Sequence, residues 1–316
     1  GGTASNIVVG RIAHGLMMMG RTPDTTNDEI YFNSIKAGVD SLPPGAKIFL
    51  NSAEFYSNTG GIENLMMLAR FYPKYPEYAD KTFLSVKGAF TLPAKPDCSM
   101  ENMRKSVLNI QRALGPHKKF DLFQPARIDR NMANLVILLK EGHFAHIGLS
   151  ECRADTLRRA HLVHPVTVAE IEVILWVYEA EHKKVVATAG GSGVSVLAYS
   201  PLGKGFFSGR FSSVADLPAG DASLQDNLSL VSALPLLAAE KGVTPAQLAN
   251  AWVAALGAHV VLLPGFSAAA RTLENCAAGD IALFAKEIEV LTGIADAGGV
   301  KGDRMAGGPE VDDLWG

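Results

Sequence analysis

Along most of its length the sequence alternates short apolar runs with amphipathic segments of helical period, and this alternation constrains the fold more than any other feature. Strands separated by helices pair in parallel, so a parallel sheet with helical crossovers is expected. After a short N-terminal strand or hairpin near Ile7 to Arg11, the first strand is predicted around Ile12 to Met18, with a helix from Thr25 to Ala37 that Gly38 stops. Phe49 to Ser57 (F-L-N-S-A-E-F-Y-S) supplies the second strand and its polar tip, and Gly61 to Phe71 its helix. Lys81 to Lys87 is the third strand, and its helix runs from the N-cap Ser99 to Leu114, ended by Gly115 and Pro116. Asp121 to Gln124, Phe144 to Leu149, Val166 to Ile171 and Val194 to Tyr199 follow as strands, with helices over Asn131 to Lys140 and Arg153 to Val163. Thr244, Pro245 and Gln247 form a capping signature for a helix through Leu256. An eighth strand at His259 to Leu263 precedes helices over Ser267 to Cys276 and Ile281 to Ala295. Eight such units in 316 residues predict an α/β fold, a single-domain (β/α)8 TIM barrel over residues 1–316. It would carry an N-terminal hairpin, an extra C-terminal helix, and a site at the C-terminal ends of the strands.

Bulk properties remove several functions. A chain that is 48% hydrophobic and 19% charged is too apolar for disorder, and a net charge of −3 offers no global positive field for nucleic acid or an anionic membrane. Cys98, Cys152 and Cys276 lie far apart with no metal-ligand spacing, which argues against a disulfide framework or a zinc site. The opening G-G-T-A-S-N lacks an apolar signal core and no later run reaches membrane-spanning length, so a soluble, cytoplasmic protein in a reducing compartment is expected. Nothing in the sequence sets an oligomeric state.

Asn51, Tyr56, Lys87, Ser150, Glu170, Tyr199 and Ser200 all follow apolar runs, so a barrel would gather them at one mouth. An unperturbed tyrosine has a pKa of about 10, and each unit by which a neighbouring lysine lowers it is worth about 1.4 kcal/mol. That pairing of Tyr56 with Lys87 suits a general acid. Plainer readings stand beside it. Tyr56 alone could be a half-buried aromatic, Asn51 a turn residue, and Glu54 a solvated loop carboxylate. Met17, Met18 and Met19 fit a pocket wall or soft core filler, and His14, His143 and His146 read as structural.

The order and spacing of five motifs carry a resemblance to the aldo-keto reductases, over nearly the whole chain. They are N-S-A-E-F-Y at Asn51, S-V-K-G at Lys87, G-L-S-E at Ser150, A-Y-S-P-L-G-K-G at Tyr199 to Gly205, and P-G-F-S-A-A-A-R-T-L-E-N at Pro264 to Asn275. Within that family, N-x-x-E-F-Y, K-x-F-L-S-V-K-G and D-L-F-Q-x-A-R-x-D resemble the fungal pyridoxal reductase branch. The resemblance implies hydride transfer from NADPH to an aldehyde or ketone, with Tyr56 as proton donor and Lys87 and Asn51 beside it. It also implies that Ser150 and Glu170 hold the nicotinamide carboxamide and that Tyr199 stacks on the ring. The backbone of Ser200, Leu202, Gly203 and Gly205, with Gly265 and Ser267, would take the phosphates, Arg271 the 2′-phosphate and Asn275 the adenine. Arg271 could instead pair with Glu274. Two departures stand out: Asn51 replaces the usual carboxylate, which leaves Lys87 less neutralised and favours the tyrosinate, and Ala126 stands where most members place a histidine. Val173 replaces a usual aromatic. A cofactor-binding regulatory or sensor barrel with little turnover, like the channel β-subunits, is the competing function.

Overall fold

The computed structural model describes residues 1–91, 95–127, 132–208 and 234–296. Most of Phe206 to Leu228 and the C-terminal segment G-D-R-M-A-G-G-P-E fall outside them.

Eight parallel strands form a barrel with helices between them. The strands are β1 (His14–Gly15), β2 (Ile48–Ala53), β3 (Thr82–Gly88), β4 (Leu122–Pro125), β5 (His146–Ser150), β6 (Val168–Glu172), β7 (Ser195–Tyr199) and β8 (Val260–Leu263), paired in that order. The circle closes where Ala13 N donates to Leu262 O at 2.7 Å, Leu262 N to Arg11 O at 3.0 Å and Gly15 N to Pro264 O at 3.0 Å. The helices in chain order are α1 (Asp28–Asp40), α2 (Glu63–Lys74), α3 (Met100–Leu114), α4 (Met132–Lys140), α5 (Ala154–Val163), α6 (Ala180–Ser192), α7 (Leu234–Lys241), α8 (Pro245–Ala255), α9 (Ala269–Ala277) and α10 (Ala285–Asp296). α10 is the expected extra helix. Among the described residues no helix is long and apolar enough to cross a membrane, and all three cysteines are free.

Strand periodicity divides the apolar residues into two sets. Phe49, Phe83, Leu122, Val168, Leu197 and Leu263 form a small cluster inside the barrel, most of them near the starts of their strands. Their immediate neighbours Leu50, Leu84, Phe123, Ala169, Val196 and Leu262 face outward into the larger layer beneath the helices. Two residues further along the inward rows of β2, β3, β4 and β6 come Asn51, Ser85, Gln124 and Glu170, so alternation alone turns these polar groups into the lumen.

Several local expectations are met and others are corrected. Ser99 caps α3 by accepting from Asn102 N at 3.3 Å, and Thr244 and Gln247 complete a capping box on α8. The first helix starts later than expected because Asp24 Oδ1 accepts from Thr26 N at 2.9 Å and holds a turn there. It also runs past Gly38, which is a packing position rather than a stop: a Cβ there would meet Thr272 Cγ2 at 3.4 Å and Ile48 Cδ1 at 3.5 Å. No N-terminal hairpin forms. Residues 7–11 instead run parallel to the approach to β2, with Lys47 N donating to Val8 O and Gly10 N to Lys47 O, both at 3.0 Å. The chain before them lies under the barrel, where Thr3 Oγ1 meets His146 Nδ1 at 2.8 Å and Thr167 Oγ1 at 3.1 Å.

His14 is fully buried on β1, packed on the Phe266 ring at 3.9 Å between centroids, with Nε2 3.1 Å from Phe266 O. Burial pushes its pKa down to about 3 from 6.5. Below pH 6.5 the unfolded chain therefore takes up a proton that the folded chain refuses, and stability falls with pH through the window from 6.5 to about 3. At about 1.4 kcal/mol per unit, His14 should cost about 2 kcal/mol between pH 7 and pH 5. Urea unfolding of the native chain and of His14→Gln at both pH values checks this: the difference between them should shrink by that amount as pH falls, and an unchanged difference would reject it.

Candidate active site

At the mouth, four inward side chains from four strands bond to one another. The Lys87 ammonium forms an ion pair with Glu170 Oε1 and donates to Asn51 Oδ1 at 3.0 Å. Asn51 Nδ2 donates to Glu170 Oε2 at 2.8 Å, and Gln124 Nε2 donates to the same oxygen. Asn51, Gln124 and Glu170 are at most 2% exposed and Lys87 7%, so water contributes little and each bond counts. The expectation that Asn51 leaves Lys87 poorly neutralised is therefore corrected. A carboxylate does reach the ammonium, from β6 across the lumen instead of from β2 beside it.

Tyr56 stands half-buried on the loop after β2, with the Lys87 ammonium 5.2 Å from its ring centroid and Phe55 edge-on at 5.5 Å. Burial raises the Tyr56 pKa, Lys87 pulls it back, Glu170 opposes Lys87, and Arg127 adds a smaller lowering; the net direction is up. Burial pushes Lys87 down, but Glu170 and Tyr56 outweigh it and the net direction is again up. The pair is thus a neutral phenol beside a charged ammonium at neutral pH, not the tyrosinate that an uncompensated lysine would favour.

Two polar anchors brace the backbone around this pair. Glu54 is no solvated carboxylate: Ser106 Oγ and Asn109 Nδ2, the latter at 2.7 Å, donate to it from α3, while Glu54 N donates to Lys87 O at 2.9 Å. Asn64, fully buried on α2, donates through Nδ2 to Leu16 O at 2.8 Å and Met19 O at 2.6 Å, and its Oδ1 accepts from Ser52 Oγ at 2.5 Å. This ties the loop after β1 to β2. On that loop Met19 is core, whereas Met17 and Met18 are exposed.

The rim of the mouth has unusual backbone at three strand ends. Ala89, Glu151 and Ser200, which directly follow β3, β5 and β7, all have positive φ, of 58°, 52° and 55°. Such residues cost of order 1–3 kcal/mol each and cluster where a site dictates the backbone. Ser150 is buried at the tip of β5, in register with Glu170. Tyr199 is partly exposed at the tip of β7, and Leu202 packs on the core beyond it. Gly203 and Gly205 have φ of 54° and 103°, and a Cβ on Gly203 would sit 3.1 Å from Phe207 and 3.2 Å from Trp176. A Cβ on Gly265 would meet nothing within 4 Å. Ser267 leads into α9, whose N-cap, Ala268, supplies no side-chain bond, so the first amides of that helix lack a cap. Arg271 is exposed on α9 and makes no ion pair among the described residues. Glu274 accepts from Thr244 Oγ1 at 2.8 Å instead of pairing with it. Asn275 is buried, with Oδ1 accepting from Asn250 Nδ2 at 3.0 Å, which leaves its Nδ2 as the end that could meet a ligand.

Residues 11–296 match the aldo/keto reductase family. The chain belongs to that family. Aldo/keto reductases are NADP(H)-dependent carbonyl oxidoreductases. The probable pyridoxal reductase 2 of Schizosaccharomyces pombe is 28% identical over 310 residues, 91% of this chain and 92% of its own. The aldo-keto reductase str7 of Strobilurus tenacellus is 33% identical over 204 residues, 59% of this chain and 61% of its own. Among solved structures, a glycerol dehydrogenase from Gluconobacter oxydans matches with a TM-score of 0.77 at 18% identity, over 94% of this chain and 95% of its own. An aldo/keto reductase from Klebsiella pneumoniae, solved with NADP and acetate, matches with a TM-score of 0.69 at 20% identity, over 94% and 95%.

Against the aldo/keto reductase pattern, two residues at the mouth escaped the sequence reading. Gln124 closes the network under Glu170, and its signal was its place at the tip of an apolar run, like that of Lys87. Arg127, partly buried, lies close enough to Tyr56 to act on its ionisation. It follows Ala126, a buried residue whose carbonyl accepts from Arg127 Nη1 at 2.7 Å.

Proposed function

We propose that this aldo/keto reductase reduces an aldehyde with NADPH, pyridoxal to pyridoxine or a related aryl or alkyl aldehyde or ketone, with Tyr56 as the proton donor. The observation that carries the reading is the neutral Tyr56 phenol beside the Lys87 ammonium at the mouth of a barrel of this family. The likeness to a probable pyridoxal reductase along nine-tenths of both chains supports the substrate class.

The residues present fit a dinucleotide phosphate. Uncapped amides at α9, open space over Gly265 and the left-handed turns at Gly203 and Gly205 form a backbone cradle that accepts anionic oxygens. Ser200, Leu202, Gly203, Gly205, Gly265 and Ser267 would line it, Arg271 would take the 2′-phosphate, Asn275 the adenine, Ser150 the carboxamide, and Tyr199 the nicotinamide face. When bound, the cofactor supplies the hydride. Tyr56 hydrogen bonds the carbonyl oxygen and gives it a proton as negative charge builds there, and Lys87 stabilises the phenolate left behind. Ala126 leaves that oxygen to Tyr56 and widens the pocket for a bulky aldehyde.

Mixing the protein with NADPH and pyridoxal, then a panel of aryl aldehydes, tests the reading: NADPH absorbance should fall with turnover. Tight NADPH binding without oxidation by any carbonyl would replace it with a cofactor-sensing barrel. Arg271→Ala should raise the KM for NADPH by about tenfold or more, the worth of a charged hydrogen bond, and leave that for NADH nearly unchanged. An equal change in both would remove Arg271 from the 2′-phosphate.

A further inference from the structure

We propose that Glu170 is the counter-ion that sets the ionisation of the Tyr56–Lys87 pair, and that Asn51 is an amide because Glu170 is a carboxylate. The inference rests on the reading of Tyr56 as proton donor and deepens it. It moves Glu170 from a nicotinamide contact to a positioning residue that acts through Lys87.

The bonding pattern carries the argument. A lysine as buried as Lys87 needs a compensating charge, and an amide cannot supply one. Glu170 does, with Oε1 on the ammonium. Its other oxygen receives Asn51 and Gln124, so both carboxylate oxygens are engaged within the protein. Asn51 is used at both ends, accepting from Lys87 and donating to Glu170. A carboxylate at position 51 could not make the second bond and would set two negative charges against one ammonium. Residues 51 and 170 are thus complementary toward Lys87: one acid and one amide give the ammonium a single counter-charge and bond to each other, whereas two acids repel and two amides supply no charge; in the exchanged arrangement the Gln124 amide turns so that its oxygen accepts. The charged and titratable groups facing the phenol are Lys87 from β3, Glu170 from β6 and Arg127 after β4.

The test is a charge exchange. Glu170→Gln, Asn51→Asp and the double variant are titrated by tyrosinate absorbance, each against the same chain carrying Tyr56→Phe, and assayed for the pH dependence of kcat with an aryl aldehyde. Glu170→Gln should lower the pH at which the Tyr56–Lys87 pair loses its first proton by about one to three units, the usual effect of removing a nearby charge. Each single variant should lose about tenfold or more in kcat, and the double variant should recover to within about threefold of the native chain, a coupling that independent sites do not show. An unmoved titration in Glu170→Gln, or single losses that multiply in the double variant, would overturn the inference. So would a loss of NADPH affinity in Glu170→Gln with no change in titration, which would return Glu170 to the cofactor. If the native chain reduces no carbonyl, the proposed function fails, while the titration still decides the role of Glu170.

Discussion

Tyr56→Phe is expected to lower kcat for aldehyde reduction by about 10²–10⁴-fold, the range for loss of a positioned general acid, while leaving NADPH affinity nearly intact. The substitution removes one oxygen. The ring keeps its packing against Phe55 and its place beneath the Lys87 ammonium, so the barrel has no reason to rearrange. Single-turnover rates and NADPH fluorescence titration separate the two quantities. Equal losses in rate and affinity would mean that the acid has been misassigned. Because burial holds the Tyr56 pKa above that of a free phenol, the native chain should also keep its proton donor through neutral pH and lose activity from this group only on the alkaline side.

Asn64→Leu is expected to be the most damaging change outside the reacting groups. Leucine keeps the branched outline and heavy-atom count of asparagine but leaves Met19 O and the Ser52 hydroxyl without a partner in a fully buried place, while Leu16 O keeps only Met19 N. At about 1–3 kcal/mol for each of the two unsatisfied groups, the loss is about 2–6 kcal/mol, a large part of an ordinary domain's stability. Urea unfolding reads it directly, and a loss below about 1 kcal/mol would show that those carbonyls find other partners. A variant chain that survives this change should also have a misplaced loop after β1, since among the described residues no other hydrogen bond ties Met19 O to α2.

What the sequence made readable was the part written in periodicity. Apolar runs of strand length, capping signatures at Ser99 and Thr244, and polar residues at strand tips located the barrel and most of its mouth. Gly38 misled because a glycine that ends a helix and a glycine that admits Thr272 and Ile48 look alike without the neighbouring helix. α6 passed unread because its V-V-A-T-A-G-G run is weakly amphipathic and rich in glycine. The larger miss was the partner of Lys87. Reasoning from adjacent strands placed only Asn51 beside the ammonium, yet a closed barrel lets β3 face β6 across its lumen, 83 positions apart in sequence. Glu54 was misplaced for a similar reason: its partners Ser106 and Asn109 come from a helix whose approach no local pattern announces.

The ring of strands is joined at its ends by very little: β1 has two residues, and the three hydrogen bonds between residues 11–15 and 262–264 carry the join to β8. Gly265 and the start of α9 stand directly on that join. A dinucleotide gripped there would act like a hoop around a cask, resisting separation of the first and last staves. Occupancy and resistance to unfolding are then linked quantities, and the emptied vessel is the one that should leak first.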